Sequence, residues 1–482
     1  MHQMSPSARP TAGCPDDTRR ASRWQVCARA LLMGIAALAA GPAAAAPNIV
    51  VILTDDQDSS TMAAMPKTLD RLAAQGTSFS NYMVSNPTCA PSRATLLTGQ
   101  YAHNHGVLNN DPPYGGYAKL DASNTIPVWL QAAGYHTTHL GKYVNGAGAP
   151  GLPPVPPGWS DFQVFSTSYY NFGVNVNGVR ISYGSAPEDY QTDVLAGRAA
   201  AALRARAAAG GPFFMTIAPF APHDEGTTGA PVPAPRHAGL YANEPLPMSP
   251  SYNESDVSDK PKPIRDLASL TPTADTAIAK RQRARLETIR GVDDLVEAVM
   301  NTLESEGLLS NTVVIFASDN GYFHGQHRIA DGKFRLYDEA VRVPLIVRGA
   351  GFPAGATSAL LVSNVDMATT IVRLAGATPG RTLDGQSIKQ MIANPQSAAG
   401  RVVLLENFNP STGLPTAAIR TDRYIYASWP SNEVELYDLM IDPYQLESKH
   451  NNSSYTNLRS LLQTKLSTLR TCSGSSCLMR YP

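Results

Sequence analysis

The chain has 482 residues, with 39 Lys+Arg balancing 39 Asp+Glu, so no basic excess exists to hold a nucleic-acid backbone or an anionic membrane surface. Its 43% hydrophobic and 16% charged residues exclude a disordered chain and allow a large buried core. Length alone, at about 150 residues per domain, suggests three domains, but the patterning along the chain gives an α/β reading: a leader over 1–46, one large domain over 47–380 and a small α+β domain over 381–482.

Residues 1–46 read as an export signal. Arg19, Arg20 and Arg23 precede an Ala-rich apolar stretch, Ala30 to Gly41, and Pro42 with Ala43–Ala46 offers small-residue cleavage sites. The apolar stretch is too short to span a bilayer. The expectation is an exported protein, periplasmic or secreted, free of the membrane after cleavage. Arg19-Arg20 leaves the export route open between the general and twin-arginine pathways. Of five Cys, Cys14 and Cys27 lie in this leader. Cys472 and Cys477 can close a small disulfide loop in an oxidising compartment. Cys89 is then left over, either buried and inert or present for its chemistry.

Five apolar runs predict strands of a sheet buried on both faces: Asn48–Leu53, Tyr135–Leu140, Pro212–Ala218, Thr312–Ala317 and Val343–Val347. Helical patterns lie between them over Thr68–Gln75, Val128–Ala133 and Ala279–Glu306. The last places Leu286, Ile289, Val292, Val296, Val299 and Leu303 on one stripe. Its opening cluster Lys280, Arg281, Arg283 and Arg285 reads as a solvated face. Gly146–Pro157 and Pro219–Pro263 read as long functional loops. The tail predicts strands over Arg401–Leu405, Arg423–Ser428 and Val434–Leu436 and a helix over Asn457–Leu469.

The residues just past the strands carry the chemistry. In an open α/β sheet, ligands bind beyond the carboxyl ends of the strands. Here those ends carry Asp55 and Asp56, Lys142, His223, and Asp319 with Asn320. If the strands are parallel neighbours, three carboxylates and an amide oxygen make a hard-oxygen site suited to Ca²⁺ or Mg²⁺, and the flanking cations suit a tetrahedral anion. Taken singly, an Asp-Asp pair or Asp-Asn-Gly is an ordinary turn or cap sequence. In the segment Cys89-Ala-Pro91-Ser92-Arg93 with Thr98-Gly99, Pro91 starts a helix that Gly99 stops, so Cys89 sits at its N-terminus. Backbone N–H groups there favour an anion; the residues alone equally allow a small buried Cys beside a cap.

Cys89-Ala-Pro91-Ser92-Arg93, read with Asp55-Asp56-Gln57, Gly141-Lys142-Tyr143, Ala221-Pro222-His223, Asp319-Asn320-Gly321, Gly332-Lys333 and Arg342-Val-Pro344, resembles the type I, formylglycine-dependent sulfatases of the alkaline phosphatase-like superfamily. The resemblance runs over about 47 to 450. Gly141-Lys142-Tyr143-Val-Asn145 and Pro156-Pro-Gly158-Trp159 are similar to the N-acetylglucosamine-6-sulfatases and the heparan 6-O-endosulfatases. The resemblance implies an alkaline phosphatase-like domain with a mostly parallel mixed sheet flanked by helices. It also implies a sulfuric ester hydrolase acting on sulfated sugars, such as N-acetylglucosamine 6-sulfate, and on aryl sulfates.

It further implies that a formylglycine-generating enzyme oxidises Cys89 to an aldehyde whose hydrate supplies the nucleophile. One Ca²⁺, or Mg²⁺ instead, would be bound by Asp55, Asp56, Asp319, Asn320 and residue 89. Arg93 would orient residue 89, Lys142, His223 and Lys333 would hold the sulfate, and Lys333 or His223 would protonate the leaving oxygen. One diol hydroxyl would attack sulfur, and ionisation of the other would expel sulfate. Two departures stand out. Asn145 occupies the neighbourhood where many sulfatases carry His, as in the 6-sulfatase branch. Phe323 replaces the His that this branch often has after Asp-Asn-Gly-Tyr; His324 comes next, expected at the rim or in a structural role although it could reach substrate, and His327 lies beyond. A phosphate or phosphonate ester hydrolase on the same fold is the alternative, and a glycan-binding protein with a dead site is the third reading.

Overall fold

The computed structural model describes residues 46–148, 154–226, 229–411 and 413–481. The expected leader falls almost wholly outside the described residues, as does part of the 146–157 loop. Among the described residues, ten strands form one mixed sheet, and its centre decides the site. Asn48–Thr54 lies between Thr312–Ser318 and Phe213–Ala218, parallel to both, and His136–Gly141 is parallel to Phe213–Ala218 on the far side. Leu345–Arg348 then runs antiparallel to Thr312–Ser318.

Alternation along these strands explains why they read as unbroken apolar runs. Ile49, Val51, Val313 and Ile315 point into one core, beside Ala90, Ala94 and Leu97 of the helix Cys89–Thr98 and Trp129, Met367 and Ile371 of helices Ile126–Ala132 and Val365–Ala375. Val50, Ile52, Val314 and Phe316 point into the other, against Leu195, Ala199 and Leu203 of helix Gln191–Ala209 and Ile289, Val292 and Val296 of helix Pro272–Ser305. With both faces covered, a polar residue inside the sheet needs a buried partner, so the reactive groups gather at the strand ends.

The tail forms a four-stranded antiparallel sheet of Val403–Asn409, Leu414–Arg420, Tyr424–Ser428 and Val434–Asp438. One face, with Leu404, Ile419, Tyr426 and Leu436, packs on Leu462, Leu466 and Leu469 of the last helix, Thr456–Leu469. The other, with Val403, Leu405 and Ile425, joins the first core of the large sheet. Cys472 and Cys477 are disulfide-bonded and Cys89 is unpaired, as the sequence predicts, and Cys89 is buried.

Candidate active site

Thr54 pairs with Ser318, and Gly141 with Ala218, so the parallel strands end at one edge and release their next residues together. Gly141 has φ 108°, and a Cβ there would lie 2.1 Å from the Ala218 carbonyl oxygen; only glycine lets the strand end deliver Lys142. Asp56 takes a left-handed φ of 63°. That strain is held by its own N–H, which donates to Asp319 Oδ1 at 3.1 Å, and by the Arg285 guanidinium, which donates to its carbonyl.

Cys89 opens the buried helix Cys89–Thr98, which ends at Gly99 with φ 68°. The N-cap Thr88 instead turns its hydroxyl to Asn407 Oδ1 at 3.3 Å, and Asn110 Oδ1 accepts the free Ala90 N–H at 2.9 Å. Cys89 Sγ lies 3.5 Å from Asp55 Oδ1 and 3.9 Å from Asp56 Oδ1, and Lys333 Nζ donates to it at 3.0 Å. Lys142 is ion-paired with Asp55 and Lys333 with Asp56. Arg93, one helical turn from Cys89, donates from Nε to Asp319 Oδ2 at 2.8 Å and from Nη1 to the Lys142 carbonyl at 2.6 Å. Its Nη2 lies 4.0 Å from Asp55 and has no hydrogen-bond partner. His223 Nδ1 donates to the Asp224 carbonyl at 2.7 Å, which aims Nε2 at Asp56 Oδ2, 3.5 Å away.

All nine residues expected at the site therefore converge. Ligand atoms of Asp55, Asp56, Cys89 and His223 lie within 4.8 Å of one another. Asp319 and Asn320 join them through Asp56 rather than directly: Asp319 accepts from its backbone, and Asn320 Nδ2 donates to Asp56 Oδ1 at 2.7 Å. That leaves Asn320 Oδ1 buried without a partner. Burial and the neighbouring Asp55 charge push the Asp319 carboxyl up. Burial opposes ionisation at Asp55 too, but Lys142, His223, Arg93 and Lys333 outweigh it and hold that carboxyl far down. Crowded hard-oxygen donors, one of them an orphaned amide oxygen, fit a divalent cation.

His324 is buried with Nε2 on Asp58 Oδ2 at 3.1 Å, and His327 is buried with Nδ1 on Glu254 Oε2 at 2.7 Å and its ring stacked on Tyr337. Both have structural partners; for His324 a rim or structural role is the sequence expectation. Arg285 corrects the expectation of a solvated basic face on the long helix. It is fully buried, donates to the Asp56 and Pro222 carbonyls and covers the Tyr322 ring at 4.1 Å. Its signal was its spacing: with Ile278, Gln282, Ile289 and Val292 it lies on the buried stripe.

His139, behind Lys142, donates from Nε2 to the Gly141 carbonyl (3.3 Å), and its Nδ1 shares a hydrogen bond with the Thr216 hydroxyl (2.7 Å). Burial holds its pKa down to about 3, and burial does the same at His105. The unfolded chain binds these protons below about 6.5 and the folded one does not. Each ring therefore contributes stability that is complete above pH 6.5 and is lost toward pH 3, at ~1.4 kcal/mol per pH unit. The urea midpoint is expected to fall between pH 7 and pH 5, and His139→Gln is expected to flatten that slope; an unchanged slope in the variant would count against this assignment.

An open α/β sheet that gathers acids, a thiol and lysines at its carboxyl edge defines a hydrolase of anionic esters. The chain belongs to the sulfatase family, the sulfuric ester hydrolases: the family model described as Sulfatase matches residues 47–377. A second, described as N-sulphoglucosamine sulphohydrolase, C-terminal, matches residues 325–472. The chain is 35% identical to an arylsulfatase of Volvox carteri over 92% of this chain and 78% of that one. It is 32% identical to N-acetylglucosamine-6-sulfatase of Homo sapiens over 94% of this chain and 90% of that one. A solved structure described as in complex with its substrate D-glucosamine-2-N,6-O-disulfate matches with a TM-score of 0.75 and 25% identity, covering 87% of this chain and 97% of that one.

Proposed function

We propose that this sulfatase cleaves the 6-O-sulfate ester of an amino sugar such as N-acetylglucosamine, with aryl sulfates as artificial substrates. The observation that carries the reading is Cys89 Sγ, within reach of Asp55, Asp56 and Lys333 at once. The relatives named as 6-sulfatases and the solved disulfate complex support the sugar. Burial pushes the Cys89 thiol up to about 12, so an unmodified Cys89 is a neutral, poor nucleophile. That supports its conversion to formylglycine by a formylglycine-generating enzyme, the hydrate of which supplies a nucleophilic hydroxyl.

Asp55, Asp56, Asp319, Asn320 and residue 89 would hold one Ca²⁺, with Mg²⁺ as the alternative. Bound there, such an ion would supply charge stabilisation at the sulfuryl oxygens and acidify a neighbouring hydroxyl. Lys142 and Lys333 bind sulfuryl oxygens; against the cost of burial, Asp55 and Asp56 hold these amines protonated. Arg93 fixes residue 89 through their shared helix and presents Nη2 to the anion. His223 gives the proton to the leaving oxygen. Its side chain is half-exposed where residue 89 is buried, and in-line displacement sends the leaving group away from residue 89. Lys333, held firmly protonated by Asp56 against the cost of burial, is a poor proton donor.

Residues 1–46 would direct export, 47–380 would form the catalytic part and 381–482 the small C-terminal part. No helix among the described residues is long and apolar enough to cross a membrane. The test is turnover of one aryl sulfate against the matching aryl phosphate. Sulfate is expected to be the faster by kcat/KM, with turnover lost on chelation and restored by Ca²⁺. Faster phosphate hydrolysis would replace this reading with a phosphoester hydrolase.

A further inference from the structure

A cavity of about 620 Å³, within the ~300–1,000 Å³ range of small-molecule sites, is lined by Phe334, Asn407 and Asn109, each a neighbour of a residue of the site or its helix. Its walls join the site at three points. Phe334 is the next residue after Lys333. Asn407 accepts from Thr88, the residue before Cys89. Asn109 precedes Asn110, which holds the Ala90 N–H. The Phe334 ring lies 5.9 Å from Lys333 Nζ, which donates to Cys89 Sγ at 3.0 Å, so the groove borders the site.

Its lining mixes ring faces with amides. Phe334 is 41% exposed and sits at a left-handed φ of 75°, which is costly for an aromatic residue. Its carbonyl accepts from Asn407 Nδ2 at 2.6 Å and Arg335 Nη1 at 3.0 Å, which holds that conformation and keeps the ring at the mouth. Phe408 packs on Tyr114 at 4.8 Å, and Trp429 is fixed by its Nε1 on Glu435 Oε2 at 2.7 Å. Rigid rings beside side-chain amides suit the apolar faces and hydroxyl edges of sugars. Arg335 is the one charged residue among the described residues that line the groove. A chain with a sulfate or carboxylate on most of its sugars would bring several negative charges to a groove with a single cation.

We propose that this groove takes the saccharide beyond the sulfated residue, and that this saccharide is uncharged. The substrate is then an oligosaccharide carrying one sulfate on its terminal amino sugar, not a polysulfated chain. The proposal rests on the sulfatase reading of residue 89. Four substrates test it: 4-nitrophenyl sulfate, N-acetylglucosamine 6-sulfate, a neutral tetrasaccharide ending in the same sulfated residue, and a multiply sulfated tetrasaccharide.

The neutral tetrasaccharide is expected to exceed the monosaccharide by ~10-fold or more in kcat/KM, through KM. Its rate should change less than ~3-fold between 0.05 and 0.3 M salt. Phe408→Ala should bring the ratio of tetrasaccharide to monosaccharide toward one. Leu414→Ser, at an exposed position that spares the fold, should lower it as well. A ratio near one in the unaltered enzyme, or preference for the polysulfated chain with steep salt dependence, overturns the groove assignment while leaving the sulfatase reading intact. Failure to turn over 4-nitrophenyl sulfate would instead remove the reading beneath it.

Discussion

Cys89→Ser is expected to lower kcat for an aryl sulfate by ~10⁴-fold or more while the protein stays folded. The side chain stands where Asp55, Asp56 and Lys333 meet, so no neighbour can take its place. Serine brings one hydroxyl to that point. A sulfate transferred to it would have to be removed by water attacking sulfur, because the same carbon holds no second hydroxyl to expel it. The helix Cys89–Thr98 is buried throughout, and a hydroxyl at its first position still finds the lysine and the carboxylates. Stability should therefore change little, and the thermal midpoint measured beside kcat separates lost chemistry from lost fold. Activity within tenfold of the parent would mean that residue 89 is not the nucleophile.

His223→Gln is expected to separate substrates by their leaving groups. Removing a general acid costs ~10²- to 10⁴-fold where the departing oxygen needs a proton. A sugar alkoxide needs one and 4-nitrophenolate does not. The variant should lose ~10²-fold or more on the sugar sulfate and far less on 4-nitrophenyl sulfate, and across a series of phenyl sulfates its rate should depend more steeply on phenol acidity. The side chain is 29% exposed, and its ring rests on Phe220 at 4.9 Å, so the change does not open the core. Equal losses on both substrates would assign His223 to sulfate binding and return the proton to Lys333.

The parts of the fold legible in the sequence are those whose physics is local. Asn48–Thr54 and Thr312–Ser318 are runs of β-branched and aromatic residues buried on both faces, and Gly99 marks the end of the helix that Cys89 begins. Helix Gln191–Ala209 escaped because alanine on every face erases its stripe. The long helix starts at Pro272 rather than near 279. Thr271 caps it with Pro272 behind, but its first turn faces solvent and carries no apolar period. Leu414–Arg420 is a strand with little β-branched content, made by pairing with both neighbours rather than by propensity.

At the site, the strand ends identify Asp55, Asp56, Lys142, His223, Asp319 and Asn320. Residue roles came from the resemblance, not from spacing. The pairings of Lys142 with Asp55, Lys333 with Asp56, and Arg285 with the Asp56 carbonyl join segments far apart in sequence, so only the folded chain displays them.

The central claim is that residue 89 becomes an aldehyde that the surrounding acids and lysines put to use. A mass spectrum of the tryptic peptide from Leu72 to Arg93, taken from protein purified from its native host, tests it most directly. The account predicts the mass of an aldehyde in place of the thiol. An intact thiol in catalytically active protein would contradict it.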